Sequence, residues 1–152
     1  MILNYTTKID VDKTVAEITK NLAQHGASAI MTDYDKEGAV VALSFKLILE
    51  GQNMGFRLPC DWRPVYEILT KGKKFDNWNQ AKNDRQKKLY REQAERTAWR
   101  IVKDWVEAQM ALVETRMVTV PQVFLPYTVM RDGRTLSETV AHDPKFLLGD
   151  GK

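Results

Sequence analysis

Cysteine is almost absent from this sequence. Cys60 stands alone among 152 residues. An internal disulfide is therefore excluded, and the composition fits a reducing compartment. Histidine is scarce too. His25 and His142 form no pair with each other or with Cys60 at zinc-ligand spacing. No metal and no other cofactor is expected. His25 falls at the end of a helical stretch, where a positive charge would suit the helix dipole. Long hydrophobic runs are missing as well. The longest nearly uncharged apolar stretch, residues 39–49, is interrupted by Lys46. A bilayer-spanning helix needs about 20 apolar residues, so no membrane partner is expected. The opening MILNYTTKIDVDK lacks the apolar core of about 7–15 residues that a signal peptide carries, which points to a cytoplasmic protein.

Catalytic signatures are equally thin. There is no glycine-rich phosphate loop and no Gly-x-Ser-x-Gly elbow, and Gly149-Asp150-Gly151 lacks a strand–turn–helix context. The segment starting at Asp33 opens like a calcium loop. Its twelfth position is Ser44 where a bidentate glutamate would be needed, so a hairpin turn is the better account. Cys60 has no evident base, although a following helix N-terminus could activate it. Glu107 and Glu114 share a helix face, but basic neighbours make that face a solvated one. The chain reads more readily as a binding protein than as an enzyme.

What is present is a patterned globular domain. A chain of this length can bury roughly two thirds of its unfolded surface, enough for a core without staples. Residues 2–9 alternate and predict a strand. Asp10 is placed to cap a helix carrying Val11, Val15, Ile18 and Leu22, which Gly26 would stop. Residues 27–34 predict a second strand, and Asp35–Gly38 a tight turn. Residues 39–50 give the clearest strand, with Val41, Leu43, Phe45, Leu47 and Leu49 on one face. Gly51–Gly55 is read as a turn and residues 56–59 as a short fourth strand ended by Pro59.

Helical patterning follows. Asp61 can cap a helix over about 62–71 stopped at Gly72, and residues 73–79 form a polar connector. A long helix is predicted over about 80–117. Its second half carries a broad apolar arc, residues 98–113, that needs cover on more than one side and is compatible with a homodimer. Its first half, 80–93, holds only Ala81, Leu89 and Tyr90 as apolar residues and is expected to project into solvent or fray. Beyond it, Thr119-Val120-Pro121 predicts a short helical turn, 123–129 an extended piece, Asp132-Gly133 a turn and 135–140 another helical turn. The fold class is α+β: a small, mainly antiparallel sheet in the order β-α-β-β-β, with a long C-terminal helix packed on one face. It is read as one domain over 1–152. Residues 1–58 form a strand–helix–hairpin half, 59–145 a mainly helical half, and 146–152 a loose tail.

Charge is the most informative feature. The whole chain is only +3, yet residues 71–103 hold eleven Lys or Arg against four acids, a local +7, and the remainder carries −4. Nucleic-acid binding needs clustered cations to replace counterions and flat side chains to stack on bases. The candidates are Lys73, Lys74, Lys82, Arg85, Lys87, Lys88, Arg91, Arg96 and Arg100, with Trp78 and Tyr90 as stacking platforms and Phe75 interleaved. If about six of these cations met phosphates, affinity would fall about a thousandfold between 50 and 200 mM salt. The competing reading is a helix made soluble by its charges. Trp99 and Trp105 belong to the apolar arc and are read as core or interface.

Gln93–Thr115, QAERTAWRIVKDWVEAQMALVET, together with VFLPY at 123–127 and DGRTL at 132–136, resembles a family of small uncharacterised proteins encoded by bacteriophages and integrated elements. Phe56-Arg57-Leu58-Pro59 resembles the same family, so the likeness covers about the C-terminal two thirds. It brings no activity and no functional residue. It implies an accessory protein made in a bacterial cytoplasm. Two functions stay open. One is binding of nucleic acid, in the first place single-stranded DNA, in replication or recombination without catalysis. The other is a protein-binding module whose basic surface meets an acidic host protein and inhibits or redirects a host defence or nucleic-acid enzyme.

Overall fold

The computed structural model describes residues 1–143. The fold is α+β. In chain order it runs α1 (Val11–Gln24), β1 (Ala29–Tyr34), β2 (Val40–Leu49), β3 (Gln52–Pro59), α2 (Arg63–Thr70), α3 (Gln80–Glu114), α4 (Val120–Phe124), a 3-10 turn (Leu125–Tyr127) and α5 (Leu136–His142). The sheet is antiparallel in the order β1-β2-β3. The proposed tail, 146–152, lies outside the described residues. Among those described, no helix is long and apolar enough to cross a membrane.

The chain forms two compact units. One takes Met1–Lys20 and Cys60–Glu107, and the other takes Asn21–Pro59 and Ala108 onward. Both α1 and α3 contribute residues to each.

In the sheet-containing unit the alternation of β2 does what its sequence predicts. Leu43, Phe45 and Leu47 are buried on one face. Cross-strand pairing sets Phe45 opposite Phe56 and Leu43 opposite Leu58. Phe45 and Phe56 stack at 5.2 Å between ring centres, and Phe124 of α4 meets Phe45 edge-on at 5.2 Å. This aromatic cluster is the unit's core. The β1–β2 turn is held by Asp35, whose Oδ1 accepts from the N–H groups of Glu37 and Ala39, both at 2.9 Å. At the far end of β2 the turn is tighter than expected. Glu50 and Gly51 both take positive φ, 50° and 78°, and Leu49 pairs with Gln52. This two-residue turn matches strand twist, so β3 starts at Gln52 and not after Gly55.

The first predicted strand does not form. Residues 2–9 belong to no strand. Asn4 adopts φ 62°, and Thr7 N–H bonds Asn4 C=O at 3.0 Å, which bends the segment. Its carbonyls are used by side chains of α3. Thr97 Oγ1 donates to Asn4 C=O at 3.1 Å, and Gln93 Nε2 donates to Tyr5 C=O at 3.0 Å and Thr7 C=O at 2.9 Å. Asn4 Nδ2 donates to Asp104 at 2.8 Å. The observed order is therefore α-β-β-β, not β-α-β-β-β. Alternation alone could not reveal that these backbone groups find partners outside a sheet.

Two other segments differ from expectation. Residues 123–127 complete α4 and the 3-10 turn, and only Thr128 and Val129 are extended, in bridges to Phe56 and Thr135. A capping box at Thr119 and Gln122 fixes α4. The long helix ends at Glu114 and not at 117. Arg116 takes φ 61°, and Met117 N–H closes back on Leu112 C=O at 3.0 Å. Within the arc 98–113, Ala98, Trp99, Val106 and Met110 are buried and Ile101, Val102 and Trp105 are half-buried in the single chain. Leu112 and Val113 are half-buried too, so none of these nine apolar residues is exposed in the single chain.

Candidate nucleic-acid interface

The basic first half of α3 is neither frayed nor bare. Asn79 caps it, its Oδ1 accepting from Ala81 N–H at 3.0 Å and Lys82 N–H at 3.4 Å. Asn83, 4% exposed, locks the connector to the first turn. Its Oδ1 accepts from Asn77 N–H at 3.1 Å, and its Nδ2 donates to Asn77 C=O at 2.8 Å. Phe75 meets Tyr90 edge-on at 6.0 Å, and the Lys87 ammonium sits 5.7 Å from the Phe75 ring centre. Polar-looking sequence is thus pinned by a buried asparagine and an aromatic pair.

A further layer comes from α2. The expected cap at Asp61 does not form as such: Trp62 holds the N-cap position without a side-chain cap, and Asp61, one residue ahead, accepts from Arg63 N–H through Oδ1 at 3.1 Å. Trp62 and Tyr66 lie edge to face at 5.8 Å. The Arg91 guanidinium stacks over Trp62, its Cζ 4.9 Å from the ring centre, and its Nε bonds Glu95 at 3.1 Å. Trp62, Tyr66, Lys87, Lys88 and Arg91 together line a recess of about 400 Å³.

The eleven predicted site residues separate into three groups. Lys73, Lys74, Trp78, Lys82, Arg85, Lys87 and Lys88 are exposed. Trp78 is 94% exposed, an unusual state for an indole. None of the six cations in this group has an ion-pair partner among the described residues. Lys82, Arg85 and Leu89 follow one another at helical spacing on one face. Tyr90 and Arg91 are half-buried and support the recess. Arg96 and Arg100 point to internal partners. Arg100 Nη1 bonds Glu17 at 2.6 Å and lies 3.4 Å from Thr14 Oγ1, and its side chain is only 12% exposed. Arg96 donates to Gln93, and its Nε is buried without an acceptor among the described residues.

The sequence reading missed Trp62 and Tyr66. Their signal was the four-residue spacing, which puts both rings on one side of a helix start, matched by Lys87 and Arg91 four apart on α3.

Cys60 offers no nucleophile. Burial, with the neighbouring Asp61 carboxylate adding to it, pushes the thiol up to about 12, so it stays protonated. Among the described residues, no three His, Cys, Asp or Glu side chains gather in a metal-binding arrangement. His25 is engaged structurally. Its ring bonds Asn21 C=O through Nδ1 and Glu114 Oε1 through Nε2, both at 2.7 Å.

Comparison with protein-family models, with curated proteins and with solved structures finds no match.

Proposed function

We propose that this protein binds single-stranded nucleic acid, with single-stranded DNA as the working ligand, as an accessory factor in replication or recombination. One observation carries the reading. Trp78, almost wholly in solvent, is followed along α3 by the exposed cations Lys82, Arg85, Lys87 and Lys88, which have no ion-pair partner among the described residues. Flat rings beside backbone-tracking cations are what sequence-tolerant strand binding requires. Lys73 and Lys74 add charge in the preceding connector. A setting in a bacterial cytoplasm is proposed with it, on the resemblance of the segments at 93–115, 123–127 and 132–136 to phage-encoded proteins. The test is a fluorescence-polarisation titration with labelled oligonucleotides. Replacing Lys82, Arg85, Lys87 and Lys88 together by glutamine is expected to abolish binding, and unchanged binding would overturn the proposal.

A second reading has its own support. Leu89 is 59% exposed on the face of Lys82 and Arg85. An exposed leucine and tryptophan among arginine and lysine also suit a protein interface, where Trp and Arg supply much of the binding energy. Here the partner is an acidic surface on a host enzyme. Co-purification after nuclease treatment separates the two. A stoichiometric protein that survives nuclease, and is lost with Leu89→Ser, favours this second reading.

A further inference from the structure

We propose that the recess lined by Trp62, Tyr66, Lys87, Lys88 and Arg91 holds one nucleotide unit, its base on the aromatic wall and its phosphate on the two lysines. This inference rests on the strand-binding reading and gives that surface a defined pocket.

The recess combines two chemistries that rarely meet by accident. Its volume, about 400 Å³, is in the range of small-ligand sites. One wall is aromatic. Trp62 and Tyr66 stand nearly perpendicular, with an interplanar angle of 87°, so a planar ligand can meet one ring face-on and the other at its edge. The Arg91 guanidinium sits over one face of Trp62 and holds that ring in place. The lining from α3 is cationic. Lys88 is exposed with no ion-pair partner among the described residues. The Phe75 ring flanks the Lys87 ammonium and leaves its N–H donors for an acceptor outside. Arg91 bonds the Glu95 carboxylate, which leaves Lys87 and Lys88 as the cations of the rim that have no ion-pair partner among the described residues. The net field at the rim is therefore positive, which selects an anion, while the rings select a flat body attached to it. A nucleotide unit is both. An aliphatic carboxylate would leave the rings unused, and a neutral aromatic would leave the lysines unused.

The ligand could arrive as part of a strand or as a free nucleotide, and the experiment distinguishes them. Protein labelled with nitrogen-15 is titrated with deoxythymidine monophosphate, thymidine, inorganic phosphate and a twelve-residue oligothymidylate. The readout is the Trp62 indole N–H signal, assigned from its loss in Trp62→Phe. The monophosphate is expected to move that signal at lower concentration than thymidine or phosphate. Lys88→Glu, at an exposed position that does not threaten folding, is expected to weaken monophosphate binding at least fivefold. Trp62→Leu is expected to weaken oligonucleotide binding about tenfold. If phosphate alone binds as tightly as the monophosphate, or if the Trp62 signal does not respond to either nucleotide, the pocket assignment is overturned. Salt-sensitive oligonucleotide binding that is indifferent to both substitutions overturns the pocket and leaves strand binding intact. A monophosphate response without oligonucleotide binding supports the pocket and overturns strand binding.

Discussion

Arg91 lies over the indole of Trp62, with 4.9 Å between its Cζ and the ring centre, and bonds Glu95 through Nε at 3.1 Å. This contact joins the start of α2 to the basic half of α3 and turns a run of charge into a shaped surface. A guanidinium stacked on tryptophan contributes about 0.5–2 kcal/mol, depending on how far it is desolvated. A double-mutant cycle with Trp62→Leu and Arg91→Ala, followed by urea unfolding, is expected to give a coupling in that range. Additive losses would mean the two side chains act independently.

The Asn77–Asn83 pair makes a sharper demand. Asn83 is buried and both accepts from and donates to the Asn77 backbone. Asn83→Ala leaves both Asn77 groups without that partner and is expected to cost about 1–3 kcal/mol. Asn83→Asp keeps the acceptor, loses the donor and buries a charge, so it is expected to be no better than alanine. Both changes should loosen residues 73–79, which amide exchange reads directly.

In the other unit the Phe45, Phe56 and Phe124 cluster sets stability. Phe124 is fully buried on a five-residue helix that has little stability of its own. Phe124→Ala is expected to lower unfolding free energy by about 3–5 kcal/mol. A loss under 1 kcal/mol in chemical denaturation would show that α4 is not anchored this way.

Cys60 yields a prediction about pH. Its thiol is raised from 9.0 to about 12 by burial and then by Asp61. The folded state therefore holds its proton more tightly than the unfolded state. The associated stability is complete below pH 9, declines as the unfolded thiol ionises, and is lost as pH rises through 12. Cys60→Ala should flatten the alkaline limb of the stability profile. The native thiol should also react with iodoacetamide far more slowly at pH 8 than after denaturation.

Much of this architecture is readable in sequence where one local signal decides. The alternation of Val41 to Leu49, the Asp35–Gly38 turn and the short helical turns that begin near Thr119 and Thr135 are of that kind. Residues 2–9 alternate just as clearly, yet their carbonyls bond to Gln93 and Thr97, more than 80 positions away. Glu50 at positive φ replaced an expected glycine turn because the hairpin's twist outweighed the residue's preference. The same holds for the candidate surface. The run of Lys and Arg was plain, but which cations face solvent was not. Arg100 resembles Arg85 until Glu17 is seen beside it. Trp62 and Tyr66 lie on the preceding helix start, well ahead of Gln80 where the basic helix begins, so no window on that helix includes them.

The central claim is that exposed cations of α3 and its connector contact phosphates. The salt dependence of oligonucleotide affinity tests it most directly, because each phosphate contact on a single strand contributes about 0.7 to the slope of log K against log salt. With Lys73, Lys74, Lys82, Arg85, Lys87 and Lys88 engaged, the slope is predicted near −4. Substituting Lys82, Arg85 and Lys88 by glutamine should reduce it by about 2, while Arg100→Gln lowers stability and leaves the slope unchanged. A slope near zero, or one that the triple substitution does not alter, would contradict the account.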